Sequence, residues 1–195
     1  QKFAALIYDE AQTMRSLIND VLTLSKLDES AFENDGATAI NLYAVAQRVA
    51  GRLSSFADDQ GVRVRVEGAS ACIAGSETLA EEMLYNLIEN GIRYNHEGGL
   101  VTMKVGSECV EGGLANAAYQ TVVRVSDTGP GIPAALHDKV FERFFRVDKS
   151  RSKETGGTGL GLAIVKHAVM YHGGVIEVES AEGQGTTFVL RFPSA

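Results

Sequence analysis

The stretch GGTGLGLAIVKHAVMYHGG, Gly156 to Gly174, constrains this chain more than any other. Glycines stand at alternate positions, Gly157, Gly159 and Gly161, and run directly into the apolar-periodic series Leu160, Ala163, Ile164, Val165, Ala168 and Val169. A glycine-rich turn feeding a helix presents unpaired N–H groups and the positive end of a dipole to an anion. Glycine clusters also cap and turn helices without binding anything, and the stretch alone leaves both readings open. It excludes two common phosphate loops. A dinucleotide loop needs a strand immediately before its glycines, whereas a polar, charged run stands here. A Walker loop needs Gly-Lys-Ser/Thr, and Leu162 stands where its lysine would be sought.

The rest of the chain sets the context. Its 195 residues suffice for one large domain, or one domain with an appendage, and 45% apolar with 22% charged residues is a globular balance. No apolar run approaches a membrane span and no signal peptide opens the sequence. Gln1 lies inside an amphipathic run, so a longer parent protein is expected, and an upstream membrane anchor is compatible with it. Cys72 and Cys109 are too few for a disulfide scaffold and suit a reducing compartment. A net charge of -7, with no basic stripe and no Trp, argues against nucleic acid as a partner.

Phe3, Ile7, Glu10, Met14, Leu17, Val21 and Leu24 follow at spacings of four and three, which predicts a helix over residues 1–29, either one helix of a bundle or a helix packed on its own domain. Leu6, Ile18, Leu22 and Leu27 widen its apolar face. Polar residues from Glu29 to Gly36 mark a boundary, and a second unit begins near Ala37. Asn41 is placed to cap one helix running through Phe56. VRVRV from Val62 alternates as a half-buried strand, and Ser76 or Glu77 opens a long helix. Strands are predicted over Leu100–Val105 and Tyr119–Val125, joined by a glycine-bearing connection, and GVIEVES and GTTFVLRF form a closing hairpin. Helices and strands segregate, which favours an α+β sandwich with helices over a mixed sheet.

Two further clusters carry polar chemistry. Asn86 and Asn90 share one face of the helix NLIENGIRYN, with Arg93 three residues on and Tyr94 beside it. A carboxamide oxygen suits Mg²⁺ and a guanidinium suits phosphate, but helix-to-helix or solvent-facing amides fit the same pattern. Asp127, followed by Gly129 and Gly131, ends a strand; it can accept from the exocyclic amine of a base or form an ordinary turn.

In order, NLIENGIRYN, DTGPGIP, VFERFFRVD and GGTGLGLAIVKHAVMYHGG resemble the N, G1, F and G2 boxes of sensor histidine kinases. VIEVESAEGQGTTFVLRFP is similar to the family's closing strands, and LINDVLTLSKLDES to the second helix of its dimerisation and phosphotransfer hairpin. The resemblance implies a Bergerat-type sandwich over residues 37–195, preceded by a partial hairpin over residues 1–30, with ATP and Mg²⁺ as cofactors. It implies Asn90 as the metal-coordinating asparagine with Asn86 nearby, Arg93 and Arg146 near the phosphates, and Tyr94 beside adenine. Asp127 would read adenine, supported by Gly129 and Gly131, while Gly157, Thr158, Gly159, Leu160 and Gly161 would form the phosphate turn. Phe141, Phe144 and Phe145 would anchor a lid over about 133–155. Asn90, Arg93 and Arg146 are the residues implied for catalysis.

Two residues depart from the family pattern: Gly91 replaces an alanine and Arg93 a lysine. The phosphoacceptor histidine would lie on a helix absent from this chain, and His96, His137, His167 and His172 read as surface or packing residues. The resemblance implies a cytoplasmic kinase domain whose parent dimerises through the hairpin and passes phosphate to a response-regulator receiver domain. The alternatives are a conformational ATPase of the same fold and a degenerate, non-catalytic interaction domain.

Overall fold

The computed structural model describes residues 11, 14–15, 17–18, 20–22, 24–25, 38–110, 118–147 and 158–195. The described residues between 11 and 25 are helical, and we call this helix α1. The expected seam residues Phe3, Ile7 and Glu10, and the expected boundary from Glu29 to Gly36, lie outside the described residues.

The first strand, β1 (Thr38–Asn41), was not legible in the sequence. It pairs antiparallel with a second unanticipated strand, β3 (Cys72–Gly75). Both are four residues long, too short to show a period. Each leads into a helix, so the ribbon sets two helix starts side by side. Asn41 caps α2 (Leu42–Arg52) by accepting from the amides of Tyr43 and Ala44. Ser76 caps α4 (Glu77–Arg93) by accepting from Leu79. Such caps typically contribute about 1 kcal/mol each. The single helix expected through Phe56 is two. Leu53 leaves helical geometry at φ -91° and ψ 0°, and α3 (Ser54–Asp59) follows it.

The main sheet has the order β2-β4-β5-β7-β6. Its strands are β2 (Arg63–Gly68), β4 (Leu100–Val110), β5 (Ala118–Asp127), β6 (Val175–Ser180) and β7 (Thr186–Pro193). Only β2 and β4 are parallel; the other neighbours are antiparallel, so the sheet is mixed. Both β4 and β5 run further than their hydrophobic cores suggested. Ser107 to Val110, read as connection, continue the ladder opposite Ala118 to Thr121. Ladder bonds between backbones, not side-chain pattern, carry these polar ends.

Helices α2, α4 and α5 (Gly161–Tyr171) cover one face of the sheet, with α4 between the other two. Period-two residues Val101, Met103, Val105, Val123, Val125, Phe188 and Leu190 face Leu84, Leu87, Ile88, Val165 and Val169 in one core. The result is an α/β sandwich with a mixed sheet and a preceding helix, the architecture the resemblance implied. Helix α1 meets this body through Leu24, which is buried with Leu160, Ala163 and Ile164, and through Leu17 beside them. The rest of its described apolar side chains, Met14, Ile18, Val21 and Leu22, are exposed.

Candidate functional site

The end of β5, one face of α4 and the start of α5 enclose a cavity of about 660 Å³, within the usual range for small-ligand sites. It gathers Asn86, Asn90, Arg93, Tyr94, Asp127, Gly131, Arg146, Thr158, Gly159 and Gly161, residues far apart in the sequence. Two of the expected binding residues do not line it, and a third is not described. Gly129 faces a smaller neighbouring hollow, Leu160 is buried in the contact with α1, and Gly157 lies outside the described residues.

Asp127 sits at the inner wall. Its Oδ1 accepts from the Gly129 amide at 2.8 Å. Burial pushes the carboxyl above its ordinary range, while bonds from the Gly129 and Thr186 backbones oppose that rise. The sharp turn after it requires glycine. At Gly131, with φ +75°, an added Cβ would lie 2.0 Å from the Ala181 carbonyl oxygen, so the turn closes against the β6–β7 hairpin. Gly91 lies behind Asp127: a Cβ there would come within 3.1 Å of a Val101 methyl and 3.5 Å of the Asp127 Cβ. Helix and strand thus approach closely where the expected alanine is missing.

On α4, Glu82, Asn86 and Asn90 recur every four residues and present one polar stripe to the cavity. The Asn86 amide donates to the Glu82 carbonyl at 2.9 Å. Its Oδ1 lies 2.6 Å from where a Gly161 Cβ would stand, which lets α4 and α5 approach at this point. Arg93, expected to face phosphate, is paired with Glu89 at 2.7 Å and lies over the Phe56 ring at 5.4 Å. An anion taking this guanidinium must exchange with Glu89.

Another part of the lining, Ile132, Pro133, Val140 and Phe145, comes from the segment that carries the short 3-10 turns Ala134–Leu136 and Lys139–Phe141. Phe141 packs edge-on to Phe188 at 6.3 Å, with the Lys166 ammonium 5.8 Å from its ring centre. Phe145 lines the cavity. Phe144 does not share the anchoring expected of it. Its ring is 63% exposed and its backbone is left-handed at φ 63°. Its amide donates to the Gly159 carbonyl at 2.9 Å, tying this wall to the glycine turn. Of the expected lid, residues 148–157 lie outside the described residues.

Sequence reasoning missed several lining residues: Asp20, Glu82, Tyr85, Glu89, Ile132 and Phe188. Glu82 was detectable, since it extends the four-residue rhythm of Asn86 and Asn90. Asp20 left a signal too, as a carboxylate between Leu17 and Leu24 on an otherwise apolar face. Of the histidines, His172 is buried, His96 is exposed, and the His137 ring bonds the Ile132 carbonyl at 3.0 Å. Among the described residues no group of three or more His, Cys, Asp or Glu side chains is placed to hold a metal. A metal here would rely on carboxamide and non-protein oxygens. Among them also, no helix is long and apolar enough to cross a membrane.

Residues 75–195 match the family described as histidine kinase-, DNA gyrase B-, and HSP90-like ATPase, and the chain belongs to that family. Within it, the chain carries the ATP-binding catalytic domain of the sensor histidine kinase type, as its relatives show. Sensor protein IrlS of Burkholderia pseudomallei is 38% identical over 186 residues, covering 95% of this chain and 38% of that protein. Sensor-like histidine kinase SenX3 of Mycobacterium tuberculosis is 34% identical over 195 residues, covering 100% of this chain and 45% of that protein. This chain therefore spans less than half the length of these relatives. Among solved structures, mycobacterial sensor histidine kinase MprB superposes with a TM-score of 0.67 at 26% identity, covering 81% of this chain and 97% of that one. Full-length ShkA, solved in complex with AMPPNP, gives 0.79 at 26% identity, covering 100% of this chain and 38% of that one. The fold is the Bergerat-type sandwich.

Proposed function

We propose that this chain binds Mg²⁺-ATP and is the catalytic part of a sensor histidine kinase, transferring the γ-phosphate to a histidine outside these 195 residues. The observation that carries the reading is that Asp127, Asn90, Thr158 and Gly159, far apart in the sequence, line one cavity. A buried carboxylate among apolar walls suits an adenine amine, which offers two donors and no charge. Gly129 and Gly131 keep the adjoining backbone close, and Tyr94 flanks the base. Amides of the turn at Thr158, Gly159 and Gly161 would meet phosphate oxygens at the start of α5, with Gly157 and Leu160 as the expected neighbours in that turn.

Asn90 would hold Mg²⁺ through its carboxamide oxygen, with Asn86 completing the polar stripe. The ion supplies charge neutralisation along the phosphates when bound. Arg146 and Arg93 answer the remaining negative charge, the latter after release from Glu89. Residues 37–195 form the catalytic domain in this reading, and residues 1–30 the second helix of a hairpin that dimerises the parent. The acceptor aspartate of the relay belongs to a response-regulator receiver domain.

Calorimetric titration of ATP and GTP, with and without Mg²⁺, tests the site. The parent chain should prefer ATP, and Asp127→Asn should lose that preference with a fall in ATP affinity of about tenfold or more, the scale of a hydrogen bond to a charged group. Asn90→Ala should remove the Mg²⁺ dependence. Equal ATP and GTP affinities in the parent chain would defeat the assignment. With γ-labelled ATP, acid-labile label should appear only when a histidine-bearing hairpin is supplied.

A further inference from the structure

The cavity is not built by the catalytic domain alone, because Asp20 reaches it from helix α1. Leu17, Asp20 and Leu24 recur at spacings of three and four and so share one face of α1. Leu24 is 3% exposed and wedges against Leu160, Ala163 and Ile164 at the first turn of α5, with Leu17 packed beside it. This apolar contact sets Asp20 over the glycine turn. There the Thr158 hydroxyl donates to Asp20 Oδ2 at 2.9 Å. The same hydroxyl oxygen accepts from the Leu160 amide at 3.2 Å. Leu160 is the residue that caps α5, and α5 has no side-chain cap of its own. One hydroxyl therefore links the Asp20 carboxylate to the amide end of an eleven-residue helix, the end that attracts anions.

We propose that Asp20 is an internal anion occupying the phosphate end of the site, so that docking of α1 and binding of the nucleotide's phosphates oppose each other. The inference rests on the nucleotide reading above and adds a residue and a helix to it. The charge is held in an unfavourable place. Burial pushes the Asp20 carboxyl up, the Thr158 bond draws it down, and the Glu89 carboxylate across the cavity pushes it up again. Phosphate oxygens arriving at the same turn would add further negative charge beside Asp20 and Glu89. Relief comes when α1 swings away and takes Asp20 with it. Of the described α1 residues, Leu24 and Leu17 make the apolar contact that this movement must break. Nucleotide charge at one end of the domain is thereby converted into freedom of the helix that precedes it.

The test uses the whole 195-residue chain, titrated with ATP, ADP and adenosine, in EDTA and in Mg²⁺. Four proteins are compared: parent, Asp20→Asn, Leu24→Asp and the double variant, each checked by thermal melting. Asp20→Asn should raise ATP affinity about fivefold, the scale of one anion at a helix start, raise ADP affinity less, and leave adenosine unchanged. Leu24→Asp, which undocks α1 without touching the cavity, should give a similar gain, and adding Asp20→Asn to it should give no more. An equal gain for adenosine would overturn the charge argument, and additive gains would show that Asp20 acts without docking. Weaker ATP binding by Asp20→Asn in Mg²⁺ would refute the proposal and make the carboxylate a metal or donor contact. A parent chain that binds neither adenosine nor ATP would sink the nucleotide reading itself, and this inference with it.

Discussion

His172 ends α5, is only 5% exposed, and ties that helix to the start of α4. Its Nδ1 lies 2.7 Å from the Ala168 carbonyl and its Nε2 3.2 Å from the Ser76 amide. Nδ1–H donates to Ala168, and Nε2 stands 3.2 Å from both the Ser76 amide and the Ser76 carbonyl, accepting from the amide in the neutral ring. The ring also meets Tyr171 and Phe192 edge-on, at 5.1 and 6.3 Å. Gly75 makes room for it, since a Cβ there would lie 2.3 Å from His172 Cδ2. His172→Ala removes a buried ring and leaves the Ser76 amide without its acceptor. A cavity of this kind and one orphaned donor together cost about 3 kcal/mol. In a chain of this size that is a fall in Tm of roughly 6–12 °C.

The pH dependence gives a sharper test. Burial pulls the His172 pKa down, against the opposing effect of the Ala168 and Ser76 bonds. A base with a depressed folded pKa gives its full stability above the unfolded value, about 6.5. As pH falls below that value the unfolded chain takes up a proton that the folded one refuses. Stability then declines by up to about 1.4 kcal/mol per unit until the folded pKa is reached. Urea unfolding of parent and His172→Ala at pH 7.5 and 5.5 isolates this residue in the difference between the two proteins. The deficit of the variant should shrink at pH 5.5. Parallel curves for the two proteins would refute the buried neutral tie.

Two other substitutions follow from the walls of the cavity. Gly131→Ala should destabilise by about 2–3 kcal/mol in denaturant melts, because a left-handed backbone and a clash with the Ala181 carbonyl coincide. Asp127 has a raised folded pKa, so its protonated form favours the fold, and that contribution is lost as pH rises through the raised value. Apo Asp127→Asn should therefore be at least as stable as the parent at pH 7.5, by thermal melting, while its ATP preference is gone. Falling pH should weaken ATP binding by the parent from above the ordinary carboxylate range, and Asp127→Asn should lack that component in parallel titrations.

Much of the scaffold was legible because its elements are long and periodic. The inner face of α4 and the alternation in β2 and β6–β7 each repeat enough times to specify a period. Of the seam expected in α1, by contrast, Leu17 and Leu24 pack on the body, Met14 and Val21 are exposed, and Phe3, Ile7 and Glu10 lie outside the described residues. What failed to show was short or backbone-determined. Thr38–Asn41 and Cys72–Gly75 pair with each other across a gap in the sequence, and neither has enough residues to alternate. The break at Leu53 falls inside an apolar series that continues unchanged through it. In the site, the stripe of Asn86 and Asn90 and the glycine turn were readable from spacing, whereas Arg93's engagement by Glu89 depends on rotamers that spacing does not specify. Asp20 stood out as a carboxylate on an apolar face, but its place in the cavity was not readable, because that depends on where α1 lands on α5.

The central position of β5 has a mechanical consequence. Asp127 ends a strand bonded on one side to β4 and on the other to β7, opposite Val101 and Thr186. Freeing it means opening two ladders together, an excursion close in cost to unfolding the sheet. Among the described residues the facing segment is held by scattered ties: the Ile132 amide to Ser180, the Phe144 amide to Gly159, and Phe141 against Phe188. One jaw of the cleft is thus a fixed anvil and the other a compliant hammer. On the proposed reading, a base would be measured against the anvil and mismatches in the ligand's length or charge absorbed by the hammer, so variation could accumulate on the compliant side without blurring which base is accepted.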